Sequence, residues 1–245
     1  MNLIVNKMIL EKIIQRIKHN TKRFLAAFGL RKSSQIIDSS NEILRERALY
    51  ITNNGERFDP ELAPWLWEDK NHLPRYEFAM KYAMPDATVL DIACGTGYGT
   101  KMLASVSKKA IGVDISETAI TYAKKKNKVK NNDFFVNDFY ENTYTADLVV
   151  SFETIEHIKS DNFSDILTKL VSCANKRVIG SVPYLEKTGN NYHHHTFGID
   201  ESMFECLSKT GEVTFYYQDT EGVIRNNGTL KINVQNLIFM FDRKV

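Results

Sequence analysis

Val89-Leu-Asp-Ile-Ala-Cys-Gly-Thr-Gly-Tyr-Gly99 is the stretch on which the reading of this chain turns. The apolar run over residues 88–92 reads as a buried strand, and a helical pattern opens just after Gly99. Between them stand Gly95, Gly97 and Gly99. Glycines at such a junction let the backbone turn tightly and approach a ligand held at a helix N-terminus. The spacing is Gly-x-Gly-x-Gly with Asp91 at the strand end, unlike the Gly-x-Gly-x-x-Gly of dinucleotide sites. An acid beneath the loop repels a pyrophosphate and suits a ligand carrying an ammonium group. This weighs against a nicotinamide-dependent oxidoreductase. A purely structural strand–helix turn is the plainer alternative, and three glycines in five positions after an acid-tipped strand disfavour it.

Outward from the loop the pattern alternates. Strand-like runs at 88–92, 110–113, 133–136, 146–151 and 177–182 are separated by helical stretches, which implies parallel strand–helix–strand units. The runs 212–217 and 230–241, joined by Arg225-Asn-Asn-Gly228, read as a closing hairpin. Upstream, a helix is expected around residues 75–82. The fold expected is α/β: a doubly wound, mostly parallel seven-stranded sheet with a C-terminal antiparallel hairpin and a helical N-terminal extension. Residues 1–70 would form the extension and lid, and 71–245 the ligand-binding domain.

Composition excludes other classes. The chain has 245 residues, 43% hydrophobic and 25% charged, which removes disordered, collagen-like and disulfide-scaffold readings. With 32 Lys and Arg against 30 Asp and Glu, the net charge is +2, too low for coating nucleic acid by bulk charge. Cys94, Cys173 and Cys206 form no Cys-x-x-Cys pair, so reduced thiols in a cytoplasmic protein are expected, with no zinc knuckle. Apolar runs fall short of a membrane span, and residues 1–7 turn polar too early for a signal-peptide core. Residues 1–34 hold eight Lys and Arg against the single acid Glu11. Leu10, Ile13, Ile14, Ile17, Phe24, Leu25 and Phe28 keep helical spacing there. A basic amphipathic helix near 3–28 is expected, serving as a homodimer contact, a peripheral membrane foot or a pocket cap.

The glycine stretch resembles the first motif of the class I S-adenosylmethionine-dependent methyltransferases, with Ala93 where a glycine often sits. The resemblance continues in order over roughly residues 72–241. Ala110-Ile-Gly-Val-Asp114 resembles the second strand, which implies that Asp114, followed by Ile115, receives the ribose hydroxyls. Phe135-Val-Asn-Asp138-Phe139 resembles the third strand end, placing Asp138 at the adenine amino group and Phe139 beside the ring. Ala146-Asp-Leu-Val-Val-Ser-Phe152 resembles the fourth strand, with Phe152 leading under the methionine part. By the same resemblance Asp91, Ala93, Gly95 and Gly97 hold the cofactor, and Arg75 pairs with its carboxylate. For Arg75 a surface charge on a helix is the competing reading.

Two clusters remain for the acceptor. Phe152-Glu-Thr-Ile-Glu-His157 follows the fourth strand and Asn190-Asn-Tyr-His-His-His195 follows the fifth, so both lie over the crevice at the strand ends. Glu153, Glu156 and His157 at i, i+3 and i+4 would share one face of a helical turn. Helix capping by a glutamate, packing of His157 in the crevice and a solvated triple-histidine loop are the competing readings. Histidine suits a general base near neutrality, and His193, His195 and His157 are the candidates. The Glu-x-x-Glu-His pattern with a late histidine also resembles the metal-dependent subset of the family. That implies a divalent ion held by Glu153, Glu156, His157 and a histidine among 193–195, with His195 the first choice.

The front end, Gly55-Glu-Arg-Phe-Asp-Pro-Glu61 and Asn71-His-Leu-Pro-Arg-Tyr-Glu-Phe-Ala79, resembles the lead-in of bacterial methyltransferases of glycan pathways. Trp65 and Trp67 would cover a sugar or pack the front helix. The function expected is methyl transfer from S-adenosylmethionine to a hydroxyl of a sugar or surface-glycan precursor. The alternatives are a nucleic-acid 2′-hydroxyl, a phenol, and a non-catalytic cofactor-binding partner subunit.

Overall fold

The computed structural model describes residues 69–189, 193–226 and 233–244. Residues 1–68 of the extension expected over 1–70, with its basic helix, Trp65 and Trp67, lie outside the described residues, as does the Asn190-Asn-Tyr192 part of the histidine loop.

The alternating runs become β1 (Thr88–Ile92), β2 (Lys109–Asp114), β3 (Asn132–Val136), β4 (Ala146–Phe152) and β5 (Ala174–Pro183). They pair in parallel in the order β3-β2-β1-β4-β5. Leu90, Val149, Val150, Val178 and Ile179 are fully buried. A strand covered on both faces reads as a continuous apolar run for this reason. The connecting helices are α1 (Asp69–Met80) before β1, α2 (Tyr98–Ala104), α3 (Glu117–Lys126) and α4 (Phe163–Ser172). The Ser116 hydroxyl accepts from Ala119 N to cap α3, and Asn162 accepts from Ser164 N to cap α4. Ile166, Leu167 and Leu170 of α4 share one core with Leu90, Val149, Val178 and Phe239. Burying each such side chain contributes about 1.5–3 kcal/mol.

Two expectations change. α1 begins at Asp69 and runs through Pro74, ending at Met80 rather than 82. Proline ordinarily marks a first turn, so the pattern reading began the helix after it. The sheet has eight strands among the described residues rather than seven. β8 (Val234–Arg243) lies antiparallel to β5, and β6 (Gly211–Asp219) lies antiparallel to β8, as the hairpin reading required. Residues 224–226, expected to begin the turn, instead form edge strand β7 (Ile224–Asn226) on β6. The cause is a tight turn just after β6. Asp219 Oδ1 accepts from Glu221 N at 3.0 Å and Val223 N at 2.9 Å, with Gly222 at φ 81°.

From β1 the chain winds outward through β2 and β3, then returns to the opposite side of β1 for β4 and β5. Strand order reverses between β1 and β4, which opens a crevice outside their carboxyl ends. No helix among the described residues is long and apolar enough to cross a membrane.

Candidate active site

β1 delivers Asp91 to the crevice fully buried. Its Oδ2 accepts from Thr100 Oγ1 at 2.6 Å, and Tyr76 OH donates at 3.3 Å to Oδ1. Burial outweighs both bonds and holds the Asp91 carboxyl up at about 7. Above it the loop passes through left-handed backbone at alternate positions: Ala93 at φ 60°, Gly95 at 53° and Gly97 at 80°. Ala93 therefore keeps the conformation a glycine would take. Gly95 N donates to Asp114 Oδ2 at 2.9 Å, and Ser116 N to Asp114 Oδ1 at 2.8 Å. Asp114, at the end of β2, is thereby held beneath the loop. A Cβ on Gly99 would stand 2.0 Å from the Tyr76 ring, so the glycine is what lets that ring in. The same ring meets Phe152 edge-on, centroids 5.0 Å apart.

Ile115, just past the end of β2 beside Asp114, is 66% exposed. Asp138 Oδ1 accepts from Tyr140 N at 2.8 Å, and Phe139 packs against the main core. These residues stand at the strand ends where the resemblance put the nucleoside.

On the acceptor side the two glutamates have opposite surroundings. Glu153 sits at φ 49°, ahead of the 3-10 helix Ile155–His157, so the shared helical face expected for 153, 156 and 157 does not form. Its Oε1 accepts from Ser181 Oγ at 2.6 Å and faces Arg75 Nη1 at 3.5 Å, while Oε2 accepts from Asn236 Nδ2 at 2.8 Å. Arg75 is buried, not a surface charge, and its Nε donates to Gln218 Oε1 at 2.8 Å. Glu156 is also fully buried, yet among the described residues neither carboxylate oxygen has a hydrogen-bond partner. Burial pushes its carboxyl well up, and the negative Glu153 adds to this. It caps nothing. A buried carboxylate in that state either keeps a proton or awaits a cation.

Among the described residues there is a group that could hold a cation, with a membership different from the expected one. Glu156, His157 and His194 offer ligand atoms that all lie within 4.8 Å of one another. His194, not His195, joins the group, and Glu153 does not. The reason is the path of the loop after β5: His195 N and Thr196 N both donate to the Glu156 carbonyl, at 2.7 and 3.2 Å. Those bonds anchor the returning backbone, turning the His194 side chain inward and leaving His193 and His195 exposed. His157 Nδ1 meets the His193 carbonyl at 3.2 Å. Tyr76, Thr100, Ser181 and Asn236 were not read as site residues from sequence, and His194 was read only as one member of the 193–195 run. Only His194 carried a signal, as the middle of a histidine run.

Residues 89–176 match the family model described as a methyltransferase domain. A probable S-adenosylmethionine-dependent methyltransferase of Mycobacterium tuberculosis is 29% identical over 110 residues, 44% of this chain and 39% of that protein. The match thus spans well under two thirds of that relative. A second protein so described, from Mycolicibacterium smegmatis, is 25% identical over 192 residues, 74% of this chain and 72% of its own. Among solved structures, the N-methyltransferase NodS of Bradyrhizobium japonicum with bound S-adenosylhomocysteine superposes with a TM-score of 0.57. It is 16% identical, and the match covers 73% of this chain and 88% of that one, a likeness of fold. With the strand order, the glycine loop and the carboxylates at the first two strand ends, these matches make residues 89–176 similar to the methyltransferase domain of S-adenosylmethionine-dependent enzymes.

Proposed function

We propose that the protein methylates a hydroxyl oxygen of a sugar or surface-glycan precursor, using S-adenosylmethionine as donor. One observation carries the choice of oxygen: the buried Glu156 carboxylate, without hydrogen-bond partners among the described residues, grouped with His157 and His194 after β4 and β5. A hydroxyl must lose its proton to attack well, and this group is suited to easing that loss. The donor fits the opposite half of the crevice. Asp114 would take the ribose hydroxyls, and Asp91 favours the amino group of the methionine part. Arg75 is already committed to Gln218 and Glu153, which supports a role in fixing the acceptor wall rather than the cofactor carboxylate.

The residues of the cluster fit a divalent ion of borderline or hard character, with one carboxylate, two imidazoles and no thiolate. Such an ion would act as a Lewis acid, lowering the pKa of the acceptor hydroxyl. The protein's own part is alignment and proton removal. The acceptor oxygen forms its bond to the methyl carbon as the carbon–sulfur bond breaks and its electron pair stays on sulfur. The hydroxyl proton would pass to an imidazole, for which the exposed His193 and His195 are the candidates.

The test is a screen of sugar nucleotides, oligosaccharides, RNA ends and phenols with S-adenosylmethionine, read by the mass of one added methylene. Methylated sugar supports the reading, and product formed only from RNA or phenol overturns the acceptor. Exhaustive EDTA treatment followed by Mn2+ add-back, beside Glu156→Gln, tests the ion. Full activity in EDTA would leave a histidine base acting alone.

A further inference from the structure

The loop after β5 holds an acid that the mechanism above does not use. Glu186 Oε2 contacts His194 Nδ1. The two side chains are 19% and 7% exposed, so this pair is shielded from water, unlike the surface ion pairs that contribute little. The backbone around them is fixed. Leu185 N donates to Ile199 O at 3.0 Å and Gly198 N to Glu186 O at 2.9 Å, tying the outgoing limb of the loop to the returning one. The returning limb is in turn bonded to the Glu156 carbonyl through His195 N and Thr196 N. One connected unit therefore carries Glu186, His194 and Glu156.

A ring nitrogen that meets a carboxylate oxygen must carry the hydrogen. In neutral His194 the hydrogen is then on Nδ1 and the lone pair on Nε2. His157 is arranged alike, with Nδ1 against the His193 carbonyl and its ring 4.5 Å from that of His194 at 82°. An outer acceptor that fixes tautomer and ring direction is the usual companion of a histidine that binds an ion. We propose that Glu186 is a positioning residue: through Nδ1 it sets the tautomer and direction of His194, so that Nε2 is presented beside Glu156 and His157. The ion-binding consequence rests on the function proposed above; the tautomer does not.

The test uses the full chain with 15N-labelled histidine, the His194 signals assigned by their loss in His194→Gln. Metal-free protein is compared with Glu186→Ala and Glu186→Gln by long-range 1H–15N correlation, and each is titrated with Mn2+. We expect the Nδ1–H form in the parent and in Glu186→Gln, whose amide oxygen still accepts. Glu186→Ala should move His194 toward the Nε2–H form and weaken Mn2+ binding roughly 10- to 100-fold. A parent His194 in the Nε2–H form, or one whose tautomer survives in Glu186→Ala, overturns the proposal. So does Mn2+ affinity unchanged by Glu186→Ala. If the parent binds no Mn2+ but the tautomer shifts as expected, the ion fails and the positioning role stands, acting on a histidine base.

Discussion

Ala93 holds a backbone conformation with φ 60° that ordinarily falls to glycine. Its methyl group gains nothing from being there that the loop's hydrogen bonds require. Ala93→Gly is expected to raise stability by about 1 kcal/mol, since the steric penalty of left-handed backbone outweighs the added entropy of the unfolded chain. Chemical denaturation with unchanged slope is the check, and a fall in stability would contradict it. At Asp91 the prediction concerns pH. Its folded pKa is raised from 3.8 to about 7, so between those values the folded protein keeps a proton that the unfolded chain has lost. The stability of the empty protein thus falls as pH rises through that window. If the cationic amino group of the cofactor lies beside Asp91 as proposed, it favours the ionised form, and binding of S-adenosylhomocysteine then expels the proton below pH 7. Affinity should climb from about pH 5 to 7, by at most tenfold per unit, and flatten above. Calorimetry should find this slope absent in Asp91→Asn.

Elements meet at the site through small residues placed where rings must enter. α2 begins at the glycine loop, and Gly99 in its first turn leaves room for the Tyr76 ring of α1. That ring ties three elements together: it donates to Asp91 of β1, meets Tyr98 of α2 and stands on Phe152 of β4. Gly99→Ala should cost about 1–3 kcal/mol, the range for forcing a methyl into a packed interior. It should also weaken S-adenosylhomocysteine binding, because the Asp91 support shifts with the ring. A companion Gly99→Ala, Tyr76→Leu variant should regain stability but not affinity. Recovery of both would remove Tyr76 from the site.

For the whole chain, charge is unevenly placed: eight Lys and Arg against one acid in residues 1–34, within a protein of net charge +2. If that segment is a membrane foot or a dimer arm, its deletion should leave S-adenosylhomocysteine affinity unchanged. Liposome sedimentation or solution mass would change instead. Loss of binding in a truncation that still unfolds cooperatively would show the segment to be a cap of the crevice.

What was legible from sequence is what short-range pattern controls. The five parallel strands, the glycine loop, the two carboxylates at strand ends and the antiparallel close all follow from residue types at fixed spacing, because a buried strand and a tight turn each impose local chemistry. What escaped was set by contacts between distant parts. Arg75 reads as an ordinary helical cation until folding brings it to Gln218, 143 residues away, and buries it against Glu153. Glu153 and Glu156 look equivalent in sequence. One accepts or faces donors from β5, β8 and α1, while neither oxygen of the other has a hydrogen-bond partner among the described residues. Three consecutive histidines likewise offer no choice among themselves. The path of the loop after β5, fixed by two bonds to the Glu156 carbonyl, turns His194 inward, because side-chain direction on irregular backbone depends on what anchors that backbone.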